Sequence, residues 1–257
     1  NGVTTMRASL TWLTLALLVV SGTSQTLTSR TSTQNYNSVY GAGGDTYTPS
    51  DSFTSNALIA ADTQTMAYDD FRSGFVLGDP NRPWSAEVSL DLIHTYSITG
   101  PLNAFSRIQA SGVTEVAAAS SGEGIATMTS ANPGNLLQFE FTLSSLTVAR
   151  LSGMVDLNPD GQNLAGNVAL QRWDGITWAT VFNSLFLPGQ EGSFDNTYNL
   201  VAGDYRIFGQ SAGNAFHGVR PLEINSWEYD LQVVPEPGTL AAVGLGVAAL
   251  LRRRRRA

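Results

Sequence analysis

The chain has 257 residues, enough for one large domain or two small ones. Only 14% are charged, about half the usual share in a soluble domain, while 42% are apolar, enough for a core. All 14 basic residues are Arg, there is no Cys, and His94 and His217 are the only histidines. Disulfides, thiol catalysis and thiolate metal sites are therefore excluded, and little is left for an imidazole zinc site.

At the N-terminus Met6-Arg7 opens a basic stub, and Leu10 to Val20 is apolar except for Thr11 and Thr14. Small residues, Ser21-Gly22-Thr23-Ser24, follow. A basic stub, an apolar run too short to span a bilayer comfortably and a small-residue zone predict a secretory signal peptide over residues 1–24, starting at Met6 and cut near Ser24–Gln25. Residues 25–56 are rich in Ser, Thr, Asn and Gly and include Gly41-Ala42-Gly43-Gly44. They read as a flexible lead-in with at most a short strand near Tyr36 to Tyr40.

Beyond residue 57 the hydrophobic period is two. Val88, Leu90, Leu92 and Tyr96 alternate with polar residues, as do Leu137, Phe139, Phe141 and Leu143, and again Trp227, Tyr229, Leu231 and Val233. Such alternation predicts antiparallel strands with one face buried. Further strands are expected at Val113–Ala119, Ile125–Thr129, Leu146–Asp156, Val168–Trp173, Trp178–Phe182 and Tyr205–Gly209. Asp174-Gly175 fits a two-residue type I′ hairpin pairing Trp173 with Ile176, Arg172 with Thr177 and Gln171 with Trp178. The expectation is an all-β, jelly-roll-like antiparallel sandwich over residues 57–234. Leu200-Val201-Ala202-Gly203-Asp204-Tyr205, after Gly192-Ser193-Phe194, resembles the late strand of jelly-roll modules in bacterial secreted proteins, pre-peptidase C-terminal domains among them.

The C-terminus has three parts. Pro235-Glu236-Pro237 keeps the backbone out of helix and sheet; Gly238 to Leu251 is apolar except for Thr239; Arg252, Arg253, Arg254, Arg255 and Arg256 then resist translocation. The apolar run is short for a permanent span. The arrangement over residues 235–257 resembles the PEP-CTERM sorting signal of Gram-negative bacteria. The resemblance implies export through the Sec machinery, a transient inner-membrane anchor through a short hydrophobic helix, and cleavage by exosortase, a membrane-embedded transpeptidase-like enzyme. It also implies a surface or extracellular-matrix location associated with exopolysaccharide. Between residues 25 and 234, eight Arg face twenty Asp plus Glu, a balance that repels nucleic acid and anionic lipid.

Chemistry in the body is sparse. Asp156-Leu157-Asn158-Pro159-Asp160-Gly161 begins like a calcium loop, with Asp156, Asn158 and Asp160 as oxygen ligands. Position 12 is Asn167 instead of an acid, and Asn-Pro-Asp-Gly is a good turn by itself. Gly209-Gln210-Ser211-Ala212-Gly213 has the spacing of a nucleophile elbow near His217, without the helix an elbow needs. Gly175-Ile176-Thr177-Trp178 resembles the end of a sialidase Asp-box, with Trp173 where the Asp should stand. His94 falls on an apolar strand face, which suits a core or interface position. Trp84, Trp173, Trp178 and Trp227 suit either a sugar-stacking platform or the core. Glu140, Asp69-Asp70 and Glu115 are carboxylates from which a glycosidase pair could be drawn. No catalytic residue stands out, so the body reads as a non-catalytic structural or polysaccharide-associated module, with a carbohydrate-active hydrolase on the same scaffold as the alternative.

Overall fold

The computed structural model describes residues 25–42, 45–157, 166–184, 191–216 and 222–234. Among the described residues thirteen strands run in order: β1 Gln25–Ala42, β2 Asp45–Tyr47, β3 Ser50–Ser55, β4 Ala61–Val76, β5 Asp79–Thr99, β6 Arg107–Gly122, β7 Ile125–Leu143, β8 Thr147–Leu157, β9 Gly166–Trp173, β10 Trp178–Asn183, β11 Glu191–Leu200, β12 Gly203–Phe216 and β13 Leu222–Val234. They form two antiparallel sheets. The first has the order β10-β9-β12-β7-β1-β2, with β3 also on β1; the second is β11-β8-β13-β6-β5-β4. From β6 to β9 and from β10 to β13 each successive strand changes sheet, the crossing pattern of a jelly roll. The all-β sandwich expected from the alternating runs is what the chain forms.

Each alternating run buries one face. Val88, Leu90, Leu92 and Tyr96 point inward from β5, Leu137, Phe139, Phe141 and Leu143 from β7, and Trp227, Tyr229, Leu231 and Val233 from β13. The ring of Trp227 lies between two backbones. A methyl group on Gly112 of β6 or on Gly209 of β12 would run into the indole itself. Trp227 therefore occupies the space of two absent side chains, one in each sheet, and stacks on Tyr229 at 5.9 Å.

The expected flexible lead-in is instead a central strand. Over Gln25–Ala42, β1 pairs with β7 along nearly its whole length, and with β2 and β3 on its other side. The alternation is real but its inward residues are mostly polar: after Leu27 come Arg30, Ser32, Gln34 and Ser38, all buried. Thr26, Thr28, Thr31 and Thr33, β-branched and suited to a pleated strand, take the outward positions. Strand β4 also escaped the sequence reading, because its inward side is only half covered. The sandwich thus begins at Gln25 and not at residue 57.

The polar residues of β1 belong to a buried belt separating the two apolar clusters of the core. Asn135 donates both amide hydrogens across the sandwich, to the carbonyls of Ile93 and Val113 at 3.0 and 2.7 Å. Its Oδ1 therefore accepts from Nδ1 of His94, 3.0 Å away. His94 Nε2 shares a hydrogen bond of 2.7 Å with the Ser32 hydroxyl, and both also reach Gln64 Oε1, to which Ser32 donates. Gln34 donates to the Leu92 carbonyl at 2.9 Å, and Thr114 and Ser211 share a bond of 2.7 Å between the sheets. These bonds satisfy much of the belt, but Arg30 Nε and Gln34 Oε1 are buried without a hydrogen-bond partner among the described residues, so the belt also carries a desolvation cost.

Two expectations follow. Burial pushes the His94 pKa down, reinforced by the Arg30 charge and only partly opposed by the Asn135 bond and by Asp62. A folded pKa below the ordinary value near 6.5 means that the unfolded chain takes up the proton first, so stability is full above that value and lost as pH falls through it. Urea midpoints measured between pH 7.5 and 5 should fall, and His94→Gln should flatten that slope. Separately, Gly209→Ala should cost about 1–3 kcal/mol through overpacking and Trp227→Ala about 3–5 kcal/mol through cavity formation, both measured by denaturant unfolding.

Candidate functional site

Strand parity places Asp204, Arg206 and Phe208 of β12 on the outer face of the first sheet, because Tyr205, Ile207 and Gly209 point inward. Pairing registers align Thr180, Gln171, Arg206, Glu140 and Ser29 in one row across β10, β9, β12, β7 and β1. The next position along the strands brings Trp178 opposite Trp173, and Asp204 opposite Thr142. The two indoles are 5.4 Å apart, inclined by 60°, and Trp173 keeps 37% of its surface exposed.

Polar groups around this pair are held by one another. Arg206 Nε donates to Gln171 Oε1 at 2.6 Å, and its guanidinium lies 4.6 Å from the Trp178 ring centre and 5.8 Å from that of Phe208. Partial burial draws the Arg206 pKa down, opposed by the neighbouring Glu140. Glu140 accepts from the Ser29 hydroxyl at 2.9 Å and from Gln138 at 3.0 Å, while Asp204 accepts from Thr142 at 2.6 Å. Together Thr28, Glu140, Thr142, Trp173, Trp178 and Asp204 line an open depression of about 450 Å³. Indole faces, two carboxylates, a guanidinium, an amide and hydroxyls thus meet on one solvent-facing surface. Such a surface can stack an apolar ring face and hydrogen-bond the polar rim around it.

The hairpin that creates the tryptophan pair differs from the two-residue turn read in the sequence. Trp173 pairs with Trp178 and Arg172 with Ala179, so Asp174 to Thr177 form the connection. A type I′ turn needs positive φ at both central residues, and only Gly175 adopts it here. Asp174 instead accepts from the Ile176 and Thr177 amides at 2.8 and 2.7 Å. Those backbone donors, Thr177 first, hold its carboxyl below the usual range.

Other candidates separate. Trp84 and Trp227 are core residues, so the four tryptophans divide into two buried and two at the surface. His94 lies in the buried belt. Ser211 sits inside β12, buried and bonded to Thr114, and so offers no nucleophile elbow; His217 lies outside the described residues. Asp70 bonds the Tyr40 hydroxyl and Arg72, whereas Asp69 points to the opposite side of β4 and Glu115 lies on the outer side of β6. Asp156 is exposed at the end of β8; Asn158 and Asp160, its expected partners for calcium, lie outside the described residues. Among the described residues no three His, Asp or Glu side chains gather as a metal site. The segment 1–24 expected to be a signal peptide, Pro235, Glu236, Pro237, the apolar run and Arg252 to Arg256 are also outside them.

The outer face of the second sheet carries a groove of about 570 Å³ lined by Thr95, Ser97, Gln109, Ser111, Ser152 and Glu228 among others. Arg107 and Arg150 form two-pronged bonds to Asp230 and Asp195 on the same sheet. Among the described residues no pair of exposed rings lies there, which sets it apart from the tryptophan face.

No curated protein matches the chain by sequence. Among solved structures, the fold is similar to the CBM22-1 xylan-binding domain of Xyn10C from Paenibacillus barcinonensis. Identity is 14%, the alignment covers 70% of this chain and 99% of that one, and the TM-score is 0.27, a likeness too slight to transfer a site. The C-terminal segment gives a definite result, beginning within β13, whose final residue Val234 directly precedes Pro235. Residues 233–256 match the PEP-CTERM protein-sorting motif, so this β-sandwich protein carries that sorting signal at its C-terminal end.

Proposed function

We propose that the protein is exported, cut by exosortase at its Pro-Glu-Pro segment, and kept in the cell envelope or matrix, where it binds polysaccharide without cleaving it. The sorting motif supports the first part. The second part rests on one observation: Trp173 and Trp178 lie paired at the surface beside a row of hydrogen-bonding groups. A pyranose offers one face of C–H bonds and a rim of hydroxyls, which suits an indole flanked by carboxylate, amide and guanidinium. The acidic balance of the body favours a neutral glycan over an anionic one.

A second reading, glycoside hydrolysis, is favoured by the presence of Glu140 and Asp204 in the same depression as the two tryptophans. Against it, both carboxylates are engaged by neighbouring side chains of the sheet, which suits fixed hydrogen-bond acceptors better than a pair that must shuttle protons.

Two measurements test these readings. Against a panel of neutral polysaccharides, Trp173→Ala and Trp178→Ala should each weaken binding about tenfold, the scale of about 1.4 kcal/mol for a stacked ring. No reducing ends should appear; their release, lost in Glu140→Gln, would favour the hydrolase. Mass spectrometry of protein recovered from its native host should find an N-terminus near Gln25 and a C-terminus near Pro235. Replacing Pro235 and Pro237 with Ala should leave the tail attached, and wild-type protein still ending at Ala257 would refute the processing step.

A further inference from the structure

The two sheets end in four kinds of edge. Strand β10 is six residues long and its pairing is broken by a bulge near Thr180 and Phe182. Strands β2 and β3 are three and six residues long. Strand β11 has ten residues and carries Glu191 and Asp195. Strand β4 also carries charges, Asp62, Asp69, Asp70 and Arg72, but is the longest of these edges. It runs for sixteen residues, contains no Pro, and pairs with β5 without interruption from Ala61 to Phe75. Among the described residues no strand pairs with its other side. A long regular edge of this kind presents a row of unused backbone donors and acceptors, and folded proteins ordinarily guard such edges with charged side chains, Pro, bulges or short length. Of these guards β4 has charge alone, and around Phe71 that charge is of both signs, Asp70 and Arg72.

The side chains of β4 indicate what would complete it. Phe71 and Phe75 keep 58% and 56% of their surface exposed. Phe71 is flanked by Asp70 and Arg72, which bond each other at 2.9 Å on the opposite side of the strand. Reading this segment backwards about Phe71 exchanges the acid for the base. Antiparallel pairing of two copies centred on Phe71 therefore sets Phe71 against Phe71, Asp70 against Arg72 of the second copy, and Ala67 against its Phe75. Directly opposed aromatic and opposite-charge pairs are the favourable cross-strand combinations. The Arg72 guanidinium also lies over the Tyr47 ring at 4.8 Å, which holds it beside the open edge.

We infer that β4 is a self-association surface, through which two copies of this chain join edge to edge about a two-fold axis at Phe71 and extend the second sheet into a continuous double-width sheet. The interface is isologous: the same patch serves both partners. It lies on strands other than those of the tryptophan face, so a dimer presents two copies of that face.

The absence of Cys makes the test direct. In the full chain, kept soluble in a mild detergent, Phe71→Cys places a single thiol on the axis. Residues opposed there have Cα atoms about 4.5–5.5 Å apart, within disulfide range. Asp69→Cys and Ser73→Cys lie on the same side of the strand, but each stands about 13 Å from its own counterpart in that register. Mild oxidation should convert Phe71→Cys to a covalent dimer and leave both neighbours monomeric. Adding Asp70→Arg should abolish the cross-link by opposing like charges, and Asp70→Arg with Arg72→Asp should restore it, a rescue that a folding defect would not show. Far-UV circular dichroism verifies that each variant keeps its strands. Cross-linking no better at Phe71 than at Asp69 and Ser73, or a wild-type chain that sediments as a monomer at all concentrations, would overturn the inference.

Discussion

The contact on which the architecture turns is the indole of Trp227 held between Gly112 and Gly209. Side chains from two facing sheets normally interdigitate to fill a core about 10 Å thick. Here one large ring from β13 replaces two side chains, and both flanking positions must lack a Cβ for it to fit. That requirement fixes which part of β12 faces which part of β6 and β13. It also fixes parity. With Gly209 turned inward against the ring, Phe208, Arg206 and Asp204 have to face solvent. The polar half of the candidate site is therefore set by packing on the other side of the same strand.

The buried belt adds a second kind of specification. Apolar contacts are tolerant of small slips between sheets, whereas hydrogen bonds across the core are not. Asn135 reaches carbonyls of β5 and β6 from β7, and Ser211 reaches Thr114 from β12. A one-residue slip would leave those groups buried without partners, at about 1–3 kcal/mol each. The belt coincides with the register shifts of β7 against β1 and β12, where Gln34 and Ser211 sit opposite Asn135. Polar matching thus pins the sheets where the ladder itself is irregular.

Legibility in the sequence follows the chemistry of the inward residues. Strands β5, β7 and β13 could be read because water and core sort Leu, Phe and Val from Asp, Glu and Gln at period two. Strand β1 could not, since its buried positions hold Arg30, Ser32 and Gln34, whose partners Ser55, His94 and the Leu92 carbonyl lie tens of residues away. Hydropathy cannot distinguish a polar residue that is satisfied inside from one that is wet. Thr at alternate outward positions was the available signal. The tryptophan face was half visible: all four residues of the platform-or-core question were in view, but only pairing across β10, β9, β12 and β7 sorts Trp173 and Trp178 from Trp84 and Trp227. Arg206, Gln171 and Asp204 had no local signature at all. The sorting motif, whose parts are consecutive, needed no fold to be recognised.

The chain enters and leaves the sandwich at the same end as the tryptophan face. Gln25 pairs with Leu143, Gly203 pairs with Leu143 from the other side, and the amide of Val233 bonds the carbonyl of Ser106 next to Phe105, which packs on Phe141. Trp173 lies level with this group, its neighbour Arg172 bonding the Ala202 carbonyl. No spacer separates Val234 from Pro235. A domain tethered by the segment beyond Val234 would hold this end toward its tether and the Tyr40 and Phe71 end outward.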